Sequence, residues 1–180
     1  MGILKVDSDL VKKASEGDKD AFSKLYYSCY KDLYNFALYA LGSAEDAADV
    51  VSDTFVEIIK GIGKLRKPEA FASWAFKILS IRCKKEISRN IKRRGEFDFD
   101  ELIDTPFAGS ENLEEDIAQG TTLALALMEL DAEERMIIVL SVLYGYTHRE
   151  IAEIIGKPQG TVGSKLYRTY AKLRKRIEEK

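Results

Sequence analysis

The sequence predicts an all-α protein with two small helical domains joined by an acidic linker, and three observations support this prediction. Of 180 residues, 46% are hydrophobic, 32% are charged and only 3 are proline, a composition that favours soluble helical structure. Apolar residues recur at steps of three and four in residues 1–94 and again in 121–180. Residues 95–120 lose this spacing and carry nine acidic groups and no basic one. We therefore expect domains over 1–94 and 121–180 and a linker over 95–120.

Two helices are predicted to open the first domain. The first begins at Asp9 and ends before Gly17, which can adopt the left-handed conformation that closes many helices. Asp18 then provides an N-cap for a longer helix, whose core-facing stripe continues to Leu41. Gly42 is predicted to end this second helix.

The third and fourth helices are predicted from a cap and a proline. Ser43 and Asp46 resemble a capping box in front of a helix over 44–61, which should bury one face and expose an acidic one. Pro68 stands at the first position of a fourth helix over 68–94, which ends in a basic run. The predicted core residues of the third helix are Ala47, Val50, Val51, Phe55, Ile58 and Ile59.

The second domain contains the pattern of a helix-turn-helix. Residues 131–134 (Asp-Ala-Glu-Glu) predict the start of one helix, and Thr147 with Glu150 forms a capping box for the next. Ala152 is small where two helices must approach closely, and Gly156 can take a positive φ at the turn. Val162 lies ten residues after Ala152, where the second helix of the pair packs back on the first.

One side of that second helix is predicted to be polar and cationic. Its residues at steps of three or four are Thr161, Ser164, Lys165, Arg168 and Lys172, while the buried side holds Val162, Leu166 and Leu173. The major groove of DNA admits a helix of this kind, and its N-terminal residues meet base edges. A structural helix pair with a solvated basic face is the alternative interpretation.

The charge of the chain is strongly partitioned although its net value is only −2. Residues 60–94 carry 12 basic and 2 acidic groups, and residues 157–180 carry 8 and 2. Local Lys and Arg density attracts phosphate, so two basic blocks predict two surfaces that bind polyanions. For either block alone, a solvated helix face is an equally good interpretation.

The sequence offers no residues for metal binding or catalysis. Cys29 and Cys83 stand alone and are expected to be buried thiols, so neither a disulfide nor a zinc site is predicted. His148 is the single histidine, and we expect it on the surface in the first turn of a helix, with no catalytic role. No catalytic residue, metal or cofactor is therefore predicted. No apolar run approaches the roughly 18 residues of a membrane span, so we expect a cytoplasmic protein without membrane insertion.

Four segments of the sequence form a recognisable order: residues 16–26, 44–55, 71–74 and 160–168. In that order they resemble the conserved regions of the extracytoplasmic-function (ECF) sigma factors of the sigma-70 family. They are similar to the start of the family's first region, its polymerase-clamp helix, its promoter-melting element and its terminal recognition helix.

The resemblance implies a non-enzymatic subunit that directs RNA polymerase to promoters. Residues 1–94 would be region 2, which binds core polymerase and recognises and melts the −10 element. Residues 121–180 would be region 4, which reads the −35 element in the duplex. The expected partners are the β′ and β subunits of core RNA polymerase, promoter DNA and an anti-sigma factor.

The resemblance also implies three sets of site residues. Those that dock on the coiled coil of β′ would be Asp46, Asp49, Asp53 and Glu57. Those that contact the −10 element, with the loop 61–70 capturing a flipped base, would be Lys64, Arg66, Lys67, Ser73, Trp74, Lys77, Arg82 and Lys85. Trp74 and Phe76 could offer stacking surfaces to unpaired bases, although a core position is the favoured interpretation of Trp74. Those that contact the −35 element would be Arg149, Gln159, Thr161, Ser164, Lys165, Arg168 and Lys172.

The sequence departs from the family pattern on the recognition helix, where Gly163 and Tyr170 replace frequent basic residues and Lys165 replaces a frequent Arg. Lysine lacks the bidentate fork of arginine, so the −35 contact is expected to be weaker or differently specific. A stand-alone helix-turn-helix regulator stays open as an alternative function, since it also explains the second domain. An enzyme that acts on nucleic acid ranks last, because no nucleophile–base pair or metal set is present.

Overall fold

The computed structural model describes residues 4–95, 126–127 and 129–178, so that all of the predicted linker except Gly95 lies outside them. All regular elements of the described residues are helical, as predicted. The helices are α1 (Ser8–Ser15), α2 (Lys19–Leu41), α3 (Ala44–Gly61), α4 (Phe71–Gly95), α5 (Ala132–Val142), α6 (His148–Ile155) and α7 (Gln159–Glu178). Two 3₁₀ turns, Ile62–Lys64 and Pro68–Ala70, connect α3 to α4.

The predicted ends of the first two helices are confirmed. An Asp18 side-chain oxygen accepts hydrogen bonds from the backbone N–H groups of Asp20 and Ala21, at 2.9 and 3.0 Å, and so caps α2. Gly42 closes α2 with a φ of 73°, in the left-handed region that favours glycine. The position of the turn between α2 and α3 is therefore set by Gly42, a local feature that can be recognised in the sequence.

Two details of α3 and α4 differ from the prediction. Ile59 was expected in the core, but 57% of its surface is exposed, because the buried positions of α3 run through Val51, Phe55 and Ile58 and leave Ile59 about 100° away. Pro68 begins a 3₁₀ turn, and α4 starts three residues later, at Phe71. The basic run still follows on the same helix.

The second domain has the predicted helix-turn-helix. Asp131 and Glu134 form a reciprocal capping box at the start of α5, and Thr147 and Glu150 form another at the start of α6. Gly156 ends α6 with a φ of 71°. The side chain of Val162 is fully buried, so that α7 packs back on α6 where the spacing indicated.

The two domains pack against each other through α2 with α5 and through α4 with α6. Phe76 of α4 lies at the centre of this interface: its ring centroid is 5.3 Å from that of Phe36 on its own domain and 4.8 Å from that of Tyr144. The Tyr144 hydroxyl donates a hydrogen bond to the backbone oxygen of Asp32 at 2.8 Å. Burial raises the pKa of Tyr144, so its hydroxyl remains a donor.

Cations and a hydroxyl cap helix ends across the interface in both directions. Arg135 of α5 donates from Nε to the backbone oxygen of Tyr39 at 2.8 Å and from Nη2 to that of Ala40 at 3.3 Å, near the end of α2. In return, Ser80 of α4 donates to the oxygen of Ile154 at 2.8 Å, and Lys84 donates from Nζ to that of Ile155, the last residue of α6. The last carbonyls of a helix lack intrahelical partners and carry partial negative charge, so these contacts stabilise the closed arrangement.

Both cysteines are buried, as predicted. Burial raises the pKa of the Cys29 thiol to about 12, which makes it a weak nucleophile. Of the described helices, none combines the length and apolarity needed to cross a membrane.

Candidate nucleic-acid interface

The acidic face of α3 lies against α4. Arg82 of α4 reaches two of the carboxylates predicted to dock on polymerase: its Nη1 lies 3.2 Å from Oδ2 of Asp53, and its Nη2 lies 2.9 Å from Oε1 of Glu57. The exposed fraction of the side chain is 27% for Arg82 and 65% for Asp53. A cation predicted to contact the −10 strand is thus paired with two acids predicted to contact polymerase, so the two sites adjoin.

A groove of about 410 Å³ continues between α3 and α4 toward the end of α4, and we call it the α3–α4 groove. Asn90 donates from Nδ2 to Oδ2 of Asp46 at 3.0 Å, and the exposed Asp49 lines the same groove. On the α4 side, the buried Glu86 pairs with Arg89 at 2.7 Å and with Arg93 at 2.8 Å. The groove therefore brings three of the four predicted docking acids, Asp46, Asp49 and Asp53, together with part of the first basic block.

The loop between α3 and α4 presents its cations to solvent. Lys64, Arg66 and Lys67 are all exposed. Trp74 of α4 is half-buried and lies on the backbone of Gly61: a Cβ atom at Gly61 would be 2.9 Å from Cζ2 of the indole. Because that distance is shorter than real Cβ contacts, any side chain at residue 61 would force the indole to shift. The loop 61–70 thus carries three exposed cations, and its first residue, Gly61, lies against the indole of Trp74.

Of the other residues predicted along α4, Lys77 and Lys85 are exposed and Ser73 is half-buried. The Ser73 hydroxyl donates to the backbone oxygen of Ala70 at 3.0 Å. Phe76 was expected to offer a stacking surface with Trp74, but it is fully buried in the interface between the domains. That expectation is wrong for this arrangement, because the ring of Phe76 packs against Phe36 of its own domain and against Tyr144 and Tyr146 of the second domain.

The solvent-facing side of α7 carries Thr161, Ser164 and Arg168, which are all exposed, as a reading face requires. The structure adds Tyr167, which is 78% exposed and which sequence reasoning did not select. The signal for it was available, since Tyr167 lies three residues after Ser164 on the polar side. We call Thr161, Ser164, Tyr167 and Arg168 the open face of α7.

Two other predicted cations of α7 are turned toward the first turn of α5. Lys165 lies with its Nζ 2.9 Å from Oε1 of Glu133 and 3.6 Å from Oδ1 of Asp131, and its side chain is 20% exposed. The Nζ of Lys172 lies 2.6 Å from Oε1 of Glu134, whose side chain is 7% exposed. To contact a phosphate, each lysine would have to exchange a carboxylate for it.

The pKa shifts of this cluster agree with ion pairing. Burial alone would raise the pKa of the Glu133 carboxyl, but its hydrogen bond with Lys165 and the charges of Lys165 and Lys157 bring the net pKa below its usual value. Burial alone would lower the pKa of Lys165, and its contacts with Glu133 and Asp131 raise the net pKa instead. Both groups are therefore charged at neutral pH, and the pair holds α7 on α5.

Arg149 and Gln159 complete the predicted upstream set, and both are exposed. They line a cleft of about 670 Å³ where the N-termini of α6 and α7 meet, and His148 lines it too. We call this the α6–α7 cleft. Across the described residues, no group of His, Cys, Asp and Glu side chains is arranged to hold a metal ion.

Two family models match the chain. The model described as Sigma-70 region 2 matches residues 25–93, and the model described as Sigma-70, region 4 matches residues 121–173. The α3–α4 groove and the loop 61–70 lie inside the first match, and the open face of α7 lies inside the second.

Curated relatives agree with these matches. The RNA polymerase sigma factor SigV of Bacillus subtilis (strain 168) is 32% identical over 144 residues, which cover 80% of this chain and 83% of SigV. The ECF RNA polymerase sigma factor SigM of Mycobacterium tuberculosis (strain ATCC 25618 / H37Rv) is 28% identical over 167 residues, which cover 93% of this chain and 82% of SigM.

Solved structures share the fold. CnrH, in complex with the cytosolic domain of CnrY, aligns with a TM-score of 0.68 at 23% identity over 96% of this chain and 97% of CnrH. The sigma factor RpoE from Bartonella quintana, in complex with the anti-sigma factor NepR, aligns with a TM-score of 0.64 at 20% identity over 87% of this chain and 96% of RpoE.

Proposed function

Because the chain belongs to the sigma-70 family and is a promoter-directing RNA polymerase sigma factor of the ECF type, we propose a division of labour between its domains. Residues 1–94 bind core polymerase and the −10 element, residues 121–180 bind the −35 element, and residues 95–120 connect them. The protein acts without covalent chemistry of its own, and it works in the cytoplasm together with polymerase. An anti-sigma factor is a further partner, which the complex of RpoE from Bartonella quintana with the anti-sigma factor NepR supports.

The observation that carries the −35 assignment is the open face of α7. Four side chains with hydroxyl, aromatic and guanidinium groups stand in solvent on one side of a helix that follows a helix-turn-helix turn. Such a helix fits the major groove, where Arg168 can reach a guanine or a phosphate and the hydroxyls can reach either base edges or phosphates. Lys165 and Lys172 support this contact by holding α7 on α5.

The −10 assignment rests on the loop 61–70 and the start of α4. An unpaired base needs a stacking surface and a nearby cation, and the indole of Trp74 lies against Gly61, the first residue of the loop that carries Lys64, Arg66 and Lys67. Flipping a base costs a few kcal/mol, which contacts of this kind offset. Lys77 and Lys85 extend the cationic surface along α4 for the melted strand.

The polymerase assignment rests on the α3–α4 groove. Carboxylates outnumber cations in its lining, and electrostatic complementarity with a basic partner sets the rate and register of association. Asp53 and Glu57 would release Arg82 when they bind the β′ coiled coil, and Arg82 would then be available to the −10 strand. Polymerase binding and strand binding would be coupled through this one arginine.

The closed arrangement of the two domains cannot contact both elements at once. The −10 and −35 elements are about 25 base pairs apart, which is about 85 Å at about 3.4 Å for each pair. A compact protein of about 150 residues has a radius of gyration of only about 15 Å. The α2–α5 and α4–α6 contacts must therefore separate before the promoter is bound.

Run-off transcription on a fragmented genome tests this function. Purified core polymerase, with and without the full chain, is expected to yield new start sites that share two spaced elements only when the chain is present. Substitution of Arg66 and Lys67 by Ala should reduce strand opening at these sites, and substitution of Arg168 by Ala should relax the upstream element. A stand-alone regulator would instead bind its operator tightly without polymerase and would create no new start sites.

A further inference from the structure

The junction between α3 and the loop 61–70 contains a glycine whose backbone conformation does not require glycine. Gly61, the last residue of α3, has a φ of −104° and a ψ of −23°, in the right-handed helical region that any residue adopts. Alanine is the better helix former, since glycine loses more conformational freedom on folding. Neither the helix nor the turn therefore explains why residue 61 has no side chain.

The position of the Trp74 indole does explain it. A Cβ atom at residue 61 would lie 2.9 Å from Cζ2 and 3.2 Å from Cη2 of this ring. The indole is rigid, so that these atoms can move away only if the whole ring turns. On its own helix, the ring lies against the buried Phe71, with the two ring centroids 6.1 Å apart. The ring therefore keeps its place only while residue 61 lacks a Cβ.

The rest of the loop is supported from the N-terminal side of the chain. Helix α1 packs against both 3₁₀ turns of the loop, and Ile62 is buried. A Cβ atom at Gly63 would lie 3.5 Å from the backbone oxygen of Ser15, an ordinary van der Waals distance. The loop is thus held by α1, and its first residue lies against the indole, while its three cations stay exposed.

We propose that Gly61 is a positioning residue for base capture: because it has no Cβ, the indole of Trp74 lies on the backbone at the start of the loop 61–70 and is held at a fixed place relative to that loop. The inference rests on the proposed function, in which the indole and the loop receive an unpaired base. A base that stacks on the ring must also reach the groups of the loop, and contacts that are already in place before binding give higher affinity.

The first test follows the indole itself. Trp74 is the single tryptophan of the chain, so the fluorescence of the full chain reports the surroundings of this ring. Gly61→Ala should shift the emission maximum and change the rate of acrylamide quenching, because the added methyl group forces the ring to move. The matched control Gly63→Ala adds the same methyl group in the same loop, where there is room for it, and should keep the original emission. Unchanged emission and quenching for Gly61→Ala would overturn the inference.

The second test measures base capture with holoenzyme reconstituted from core polymerase and the full chain. The probe is a fork-junction DNA from one of the start sites found by run-off transcription, with its non-template −10 strand unpaired and either intact or abasic at one position. The ratio of the two affinities isolates the contribution of one base. The unsubstituted chain should give a ratio of at least about fivefold at the captured position, the lower end of what one base–aromatic stack contributes. Gly61→Ala should bring the ratio close to one, and Gly63→Ala should keep most of it.

A second substitution shows whether the loss arises from the contact with the indole. Gly61→Ala/Trp74→Phe should regain most of the affinity ratio, because a phenyl ring lacks the Cζ2 and Cη2 atoms of the indole and still offers a stacking surface. A general defect of folding would not be relieved by a smaller ring. If Gly61→Ala lowers the ratio and the double variant does not restore it, the loss has another origin and the inference fails.

Trp74→Ala separates this inference from the proposed function. If Trp74→Ala leaves the affinity ratio of the two probes unchanged, the indole receives no base, and that part of the proposed function fails together with the inference. If Trp74→Ala lowers the ratio while Gly61→Ala behaves like Gly63→Ala, the proposed role of Trp74 stands and the positioning role of Gly61 fails.

Discussion

The two basic helices, α4 and α7, use their cations differently. On α4, Arg82 is paired with two acids of α3, and Lys84 caps the last carbonyl of α6 in the other domain. On α7, Lys165 and Lys172 are paired within their own domain. The open face of α7 is exposed to solvent even when the two domains are packed together.

This difference shows that a basic residue in the sequence is not always available to bind DNA in the folded protein. Both helices are equally conspicuous as basic blocks, yet part of α4 is committed to contacts that depend on how the domains are arranged. Lys165 and Lys172 of α7 are paired within their own domain, so the exposure of the open face of α7 does not depend on how the two domains are arranged. We therefore expect upstream binding to be insensitive to domain separation and downstream binding to depend on it.

The largest effect should come from reversing charge in the α3–α4 groove. Asp49→Arg with Asp53→Arg places cations beside Arg82 and opposite a basic partner, and like charges in an interface cost several kcal/mol. Core polymerase binding should fall by at least about 100-fold, measured by co-purification and fluorescence anisotropy. The charge-matched control Glu16→Arg/Glu153→Arg changes exposed acids elsewhere and should bind normally. Normal binding by the groove variant would remove these acids from the docking surface.

The next effect concerns the interface between the domains. Arg135→Ala removes a guanidinium that caps α2 from α5, and we expect it to destabilise the closed arrangement by about 2–3 kcal/mol, the value of a few charged hydrogen bonds. Small-angle scattering of the free protein should then show a larger radius of gyration. Arg149→Ala, which removes an exposed arginine of α6, should leave it unchanged. If both variants scatter like the unsubstituted protein, the cross-domain caps contribute little.

A smaller effect should distinguish the two sides of α7. Arg168→Ala should weaken duplex binding by about 1–2 kcal/mol and reduce the salt slope by about one. Lys172→Ala should weaken binding less, because its ammonium is already paired with Glu134, and should lower the stability of the second domain instead. Duplex titrations at several salt concentrations, with thermal unfolding of each variant, measure both quantities. A larger loss of duplex binding for Lys172→Ala than for Arg168→Ala would contradict this assignment and would make Lys172 the DNA contact.

The smallest effect follows from the pKa of Glu133. Burial would raise it, but pairing with Lys165 and Lys157 makes the pKa lower in the folded protein than in the unfolded chain. The stability contributed by Glu133 is therefore present above about pH 4.5 and is lost as the pH falls through the folded pKa. Glu133→Gln should lower the free energy of unfolding by about 1 kcal/mol at about pH 7 and by almost nothing at about pH 3, measured by urea unfolding.

The sequence predicted what depends on near neighbours in the chain. The capping boxes at Thr147 and Asp131 and the left-handed glycines at Gly42 and Gly156 act within a few residues, and all are present. The hydrogen-bond partners of Arg135 and Lys84 lie 96 and 71 residues away in the sequence, so no local pattern predicts these contacts. A buried Phe76 could not be separated from a base-stacking one for the same reason.

The residues of the candidate sites could be predicted from the sequence, but their ion pairing and exposure could not. The acids of α3 and the cations of α4 and α7 are where the patterns placed them. The pairing of Arg82 with Asp53 depends on the angle at which two helices cross, which periodicity does not give. Tyr167 was missed because only polar and cationic residues were assigned to the exposed side of α7, although its spacing from Ser164 places it on that side.

The most direct test of this account measures the separation of the domains during initiation. Fluorophores on Ser23→Cys and Glu153→Cys, at exposed positions of the two domains, can be attached selectively because Cys29 and Cys83 are buried. Energy transfer should be high in the free protein and should fall sharply in the complex with core polymerase and promoter DNA. Unchanged transfer in a complex that initiates transcription from a two-element promoter would contradict the account.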